Sequence, residues 1–173
     1  YLLLIKLEPY VADHFFHIGE LFERRGNTER ALNFYRKTVQ VDNVHGEAHH
    51  KIGVMLYRSN NSVEAKMELD LAIRVNPDNY SSYFYLGKIL KDNGDYSSAL
   101  QNFEKGQKNP ELKARSLVER GSCFMSMNNF NQAIVELNRA LRQTDSETSL
   151  ESLYGRYFLA KCFEKTRELD KAI

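Results

Sequence analysis

Gly19, Gly53, Gly87 and Gly121 stand 34 residues apart, and Ala31, Ala65, Ala99 and Ala133 follow them at a constant distance of twelve. A fixed period of this length limits the chain to an array in which each unit buries its apolar face against its neighbours. Around every glycine the same apolar frame returns: Phe15, Ile18, Phe22 and Tyr35 in one copy, Tyr83, Leu86, Leu90 and Phe103 two copies later. The offsets put these side chains on one face of a helix, so each copy reads as two helices in succession. Gly26, Asn60, Gly94 and Asn128 recur on the same period between the two helices. These residue types tolerate the left-handed conformation that ends a helix. Thr28, Ser62 and Ser97 offer hydroxyls for capping the second helices, and Pro77 and Pro110 fall where those helices must stop.

The frame divides the chain into complete units at 12–45, 46–79, 80–113 and 114–147. The segment 1–11 reads as the end of a preceding second helix, with Pro9 in register with the frame. The fifth unit is displaced, because Ala160 and Ala172 follow their counterparts Gly121 and Ala133 by 39 residues instead of 34. Five residues, 148–152, are therefore an inserted loop, or else the first helix of that unit starts a turn early, near Leu150; a partial unit occupies 153–173. Gly155 keeps the 34-residue spacing by accident on this reading.

The spacing of Phe15, Ile18, Gly19, Phe22, Ala31 and Tyr35, repeated in each unit, resembles the W-x-x-L-G-x-x-Y…A-x-x-x-F pattern of the tetratricopeptide repeat. Phe15, His49, Tyr83 and Leu117 stand at its tryptophan position. The resemblance covers nearly the whole chain. It implies an all-α, right-handed superhelical solenoid of antiparallel helix pairs, in one continuous domain, whose concave wall is lined by the first helix of each unit.

Several functions are disfavoured by composition. Twenty-four lysines and arginines against 23 acids leave a net charge of +1, too little to form a basic field for a phosphate backbone, so no nucleic-acid partner is expected. The longest apolar stretch, Leu2 to Ile5, is far short of the roughly 20 residues needed to span a bilayer. No phosphate-cradling glycine loop, nucleophile elbow or paired cysteine motif is present, and no cofactor or catalytic role is expected. Cys123 and Cys162 occupy equivalent places in successive units and read as reduced packing residues, because helices pack about 8–10 Å apart while a disulfide needs Cα atoms within roughly 7 Å. His14, His17, His45, His49 and His50 lie within 37 residues. Two of them share a helical face, yet no carboxylate or cysteine completes a tetrad, so they read as packing and surface residues and not as metal ligands.

The concave wall implied by the resemblance takes Phe16 and Glu20 from the first unit and His50, Tyr57 and Arg58 from the second. Phe84, Tyr85 and Lys88, with Lys91, come from the third, and Arg115, Val118 and Glu119 from the fourth. The fifth supplies Tyr154, Tyr157 and Lys161, with Phe158 and Lys165. Aromatic anchors among polar groups suit a protein partner that presents an extended peptide or an amphipathic helix. Self-association through exposed ends of the array is a second route to assembly. The family's chaperone-binding members hold a terminal carboxylate with lysine, asparagine and arginine. Here Phe16, Glu20, Lys51, Ser81 and Tyr85, or one unit later His50, Val54, Tyr85, Arg115 and Glu119, stand at those positions, and neither set makes that clamp. The expected function is thus a non-catalytic interaction scaffold within a larger assembly, with a regulatory or substrate-presenting arm of an enzyme as the alternative.

Overall fold

The computed structural model describes residues 11–144 and 148–172, with side chains to residue 167. Residues 1–10, expected to end a preceding second helix, and residues 145–147, just before the inserted stretch, lie outside the described residues. Within them run nine α-helices: α1 (Ala12–Arg24), α2 (Thr28–Val41), α3 (Gly46–Arg58), α4 (Ser62–Val75), α5 (Tyr80–Asp92), α6 (Tyr96–Gly106), α7 (Lys113–Ser126), α8 (Phe130–Leu141) and α9 (Leu150–Ala172). A 3-10 turn, Pro110–Leu112, leads into α7. The chain divides into two compact units, one ending at Tyr85 and one beginning at Leu86, so α5 gives its first half to one and its second half to the other.

Four of the helix pairs are joined by the same turn. Gly26, Asn60, Gly94 and Asn128 take positive φ values of 73°, 61°, 80° and 58°. In each turn the next amide bonds back to the carbonyl five residues earlier: Asn27 to Phe22 at 2.9 Å, Asn61 to Leu56 at 2.9 Å, Asp95 to Leu90 at 2.9 Å and Asn129 to Phe124 at 2.8 Å. This is the Schellman closure, which satisfies carbonyls that a helix end leaves orphaned. The residue donating that bond also caps the following helix. Asn27, Asn61, Asp95 and Asn129 each accept from a backbone amide of the second helix's first turn. The caps are therefore not Thr28, Ser62 and Ser97. Thr28 and Ser62 open their helices and Ser97 lies one residue inside its own, because the six-residue Schellman ring fixes the capping position immediately after the positive-φ residue.

The conserved spacing of glycine and large side chain closes each pair. A Cβ placed on Gly19 would stand 2.6 Å from the Tyr35 ring, on Gly53 2.7 Å from Leu69, on Gly87 2.8 Å from Phe103 and on Gly121 2.6 Å from Leu137. Those four second-helix side chains are fully buried, beside the equally buried Ala31, Ala65, Ala99 and Ala133. In the first unit the buried Tyr35 hydroxyl donates to Glu23 at 2.7 Å. In the second unit Glu136, 2 % exposed, accepts from Arg120 Nε at 3.3 Å and Nη2 at 3.4 Å and from Arg139.

The last helix departs from the expected pattern. Residues 148 and 149 precede α9, which begins at Leu150 and runs without a break for 23 residues to Ala172. The expected turn back into a second helix is absent among the described residues. Its positive-φ position, 39 residues after Asn128, is Arg167, and arginine pays the full Cβ penalty of the left-handed conformation, so nothing stops the helix there. Ala160 is accordingly exposed, while Cys162 is as buried as Cys123. A Cβ on Gly155 would stand 3.1 Å from Leu141 at the end of α8, whereas one on Gly121 would stand 2.6 Å from Leu137 in the same helix, so both glycines face α8.

Replacing Gly87 with Ala forces a methyl group into the Phe103 ring and should lower unfolding stability by about 1–3 kcal/mol. Gly94→Ala, with open space around its Cβ, meets only the strain of a positive φ and should cost about 1 kcal/mol. Urea denaturation of the two variants measures the difference, and equal losses would contradict the steric account.

Candidate first-helix docking face

One pair of positions recurs on neighbouring first helices, 28 residues apart in the first three copies. In the first unit Lys51 Nζ of α3 bonds Glu23 of α1 at 2.9 Å. The next copy of the pair is Tyr57 and Tyr85, whose rings meet edge to face with centroids 6.0 Å apart. In the second unit the copy is Lys91 of α5 bonded to Glu119 of α7, with the signs exchanged relative to the first. The fourth copy is displaced by the insertion and becomes apolar: Met125 and Phe158 both pack on the cluster of Ala133, Leu137, Leu159 and Cys162. The same helix face thus carries a charge pair, an aromatic pair, a reversed charge pair and an apolar pair.

Around Glu23, burial disfavours the carboxylate, yet the hydrogen bonds from Tyr35 and Lys51 win and hold it below its usual range. Burial, and then the same Glu23 contact, pushes the Tyr35 phenol upward, so it remains a donor. His50 lies between α3 and α5, with Nδ1 2.8 Å from Ser82 Oγ and its ring 6.2 Å from that of Tyr85. Burial, and next Lys51, lowers its pKa to about 4, although Glu23 opposes the shift. His49 moves the other way. Its Nδ1 stands 2.6 Å from Glu68, and that hydrogen bond raises its pKa against burial, helped by the Asn43 carbonyl at 3.0 Å from Nε2.

The second unit holds an open groove of about 430 Å³. It is lined by apolar Val118, Leu150, Tyr154 and Phe158 together with charged Lys88, Lys91, Arg115, Glu119 and Glu151. Tyr154 stacks on Phe158 with centroids 6.4 Å apart and planes 25° apart. Lys88 reaches Glu119 at 3.4 Å, as Lys91 also does, and Arg115 reaches Glu151 at 3.4 Å. These ion pairs are all partly solvated, so each contributes about 0–1 kcal/mol and can re-form with an incoming group. The volume lies within the roughly 300–1,000 Å³ common for ligand sites.

The expected site residues divide into three groups. Lys88, Arg115 and Tyr154 meet at the groove, and His50, Tyr57 and Tyr85 meet in the first unit. Glu20 pairs with His17 at 3.0 Å, Arg58 is exposed and acts on Glu23 through its charge, and Lys161 lies 4.7 Å over the Tyr157 ring outside the groove lining. Phe16 and Phe84 must be removed from the contact surface. Phe84 is 1 % exposed and Phe16 6 %, the latter held between Tyr35 at 5.4 Å and His45 at 4.8 Å. Their helical positions point toward the neighbouring elements and not toward solvent, and they support the face from beneath. Leu150 and Glu151 were not expected in the site. The alternative of an early helix start near Leu150 was the one signal for them, since it brings both onto the last first helix.

Among the described residues no three His, Cys, Asp or Glu side chains gather as metal ligands, and no helix is long and apolar enough to cross a membrane. His45 caps α3, its Nδ1 accepting from the Ala48 amide at 3.1 Å while Nε2 stands 3.3 Å from Asp13. Both cysteines are free and fully buried, and burial pushes the Cys123 thiol up to about 12, so it stays un-ionised.

Three models of the tetratricopeptide repeat match residues 15–41, 69–101 and 114–144, together more than half of the chain. The chain belongs to the tetratricopeptide-repeat family. Its fold is accordingly the all-α solenoid of antiparallel helix pairs, an interaction fold. Anaphase-promoting complex subunit 3 of Schizosaccharomyces pombe is 21% identical over 154 residues, which are 89% of this chain and 23% of that protein. The chain therefore spans about a quarter of that relative's length. Among solved structures, YrrB, described as a tetratricopeptide protein with an unusual peptide-binding site, is similar with a TM-score of 0.81 at 19% identity, over 98% of this chain and 85% of its own. PilF of Pseudomonas aeruginosa gives 0.74 at 22% identity over 91% and 70%, and MamA 0.73 at 20% over 81% and 82%.

The opposed histidine shifts predict the pH dependence of this tetratricopeptide array. His50 is depressed, so its share of stability is intact above the unfolded value of 6.5 and is lost as pH falls toward about 4. His49 is raised, so its share is present below 6.5 and is lost as pH rises through its folded value. His50→Gln should flatten the acid-side decline in urea midpoint, and His49→Gln should lower the midpoint more at pH 6 than at pH 9. Identical pH profiles for the two variants and the parent would refute both assignments.

Proposed function

We propose that this tetratricopeptide segment is a non-catalytic docking element that receives a peptide or helix of a protein partner on the face formed by its first helices, within a multi-protein assembly. The observation that carries the reading is the groove of about 430 Å³ between α5, α7 and α9, whose lining sets apolar and aromatic side chains beside charged ones. Such a layout matches the anatomy of a binding hot spot, in which an aromatic anchor is ringed by polar groups. Tyr154, 55 % exposed and stacked on Phe158, is the anchor on this reading. Tyr57, Tyr85 and His50 form a second contact area on the first unit, with Lys88 and Arg115 belonging to the groove.

Two likenesses support the assembly half of the proposal. The relative of which this chain resembles about a quarter is named as a subunit of a complex, and the YrrB structure is described by its peptide-binding site. Neither specifies this chain's partner. The groove has ion-paired acids and bases but no nucleophile–base pair, which favours recognition over chemistry.

The test is capture of a partner from native lysate on the immobilised chain, compared with Tyr154→Ala and with a Tyr57→Ala, Tyr85→Ala double variant. Phe84 is left intact, since removing a fully buried phenylalanine costs about 3–5 kcal/mol and would confuse unfolding with lost contact. Loss of the anchor should weaken capture by about 2 kcal/mol, roughly thirtyfold, with an unchanged helical circular-dichroism signal. Capture unaffected by both variants would rule out the first-helix face.

A further inference from the structure

Resting on that docking reading, we infer that the groove of the second unit takes an acidic and apolar segment of its partner, recognised by internal side-chain carboxylates and not by a chain terminus. The charges among the apolar lining residues carry the inference. Three cationic side chains, Lys88, Lys91 and Arg115, line the groove against two carboxylates, Glu119 and Glu151. The imbalance grows along α9. Tyr154, Phe158, Lys161 and Lys165 follow one another at offsets of four, three and four residues, which places them in one stripe on the helix. Lys161, 4.7 Å over the Tyr157 ring, and Lys165 are both exposed and extend this stripe beyond the groove lining with two positive charges against the one carboxylate of Glu164.

The two lysines of α5 converge on a single carboxylate, Glu119, from which Lys88 stands at 3.4 Å. A second carboxylate arriving at this point completes a four-charge arrangement without stripping either lysine of its partner. Arg115, half-exposed at its side chain and 3.4 Å from Glu151, is a second lining cation, with the planar fork that suits a carboxylate. An aliphatic or aromatic side chain between two such acids rests on Val118, Tyr154 and Phe158. A basic segment in the same place meets three cations of the lining, whose carboxylates Glu119 and Glu151 are already engaged by them, and two more cations along α9, and repulsion of that kind is how interfaces reject wrong partners.

The experiment titrates the isotope-labelled 173-residue chain with two capped probe peptides, Ac-Asp-Asp-Leu-Phe-Asp-Asp-NH2 and Ac-Lys-Lys-Leu-Phe-Lys-Lys-NH2, following backbone amide shifts. Saturable shifts at Lys88, Arg115, Tyr154 and Phe158, about tenfold tighter for the acidic peptide and weakened by added salt, are expected. A Lys161→Glu, Lys165→Glu double variant should lose about tenfold for the acidic peptide with unchanged circular dichroism. Equal or tighter binding of the basic peptide at the same residues overturns the acidic preference while keeping the groove as a docking face. Saturable binding of neither peptide also overturns it, and the docking reading then stands or falls on the Tyr154 capture comparison.

Discussion

Everything in this chain depends on the approach of one helix backbone to one large side chain. Gly19, Gly53, Gly87 and Gly121 lie so close to Tyr35, Leu69, Phe103 and Leu137 that a methyl group on any of them would overlap its partner. The absent Cβ lets a fully buried ring or leucine fill the space between the two helices of a pair. That contact sets the distance within the pair, and the Schellman turn sets the direction in which the second helix leaves the first. With both fixed locally, the outward face of each first helix is free to vary, and this is where the four copies differ most.

Much of this was legible in the sequence because its causes are local. A glycine under a large side chain and a left-handed residue at a helix end each demand a particular residue type at one place, so the 34-residue period exposes both. The groove was legible in part. Lys88, Arg115 and Tyr154 follow from their place on the first-helix face, but Leu150 and Glu151 enter only because α9 starts before the displaced frame does. Phe16 and Phe84 show what a periodic frame omits. A first helix has several neighbours, and hydrophobic spacing marks the residues near them without saying which side is covered; Phe16 lies under His45, a residue of the following loop and cap. The missing turn of α9 was hidden for a related reason, since the apolar frame returns there while the residue needed to end the helix does not.

The proposed docking face is built from positions that the repeated glycine contact and turn leave open to several residue types. Charge pairs of modest individual strength sit beside aromatic and apolar pairs at the same register, so the chemistry changes from copy to copy while the backbone repeats. On the proposed docking reading, recognition by such a face comes from the sequence of chemistries along it, and the fold supplies the spacing. This separation explains how chains near 20% identity share the architecture.

The reversed ion pair has a consequence for how the array is put together. Glu23 meets a lysine on the following first helix, whereas Lys91 meets a glutamate. Were the copy carrying Glu119 moved to follow the copy carrying Glu23, two carboxylates would face each other; moving the copy with Lys51 behind Lys91 would oppose two amines. The modules look interchangeable in their backbone and are not interchangeable in order. Their charges act as a parity mark: exchanging single copies would oppose like charges even where the helices themselves would stack.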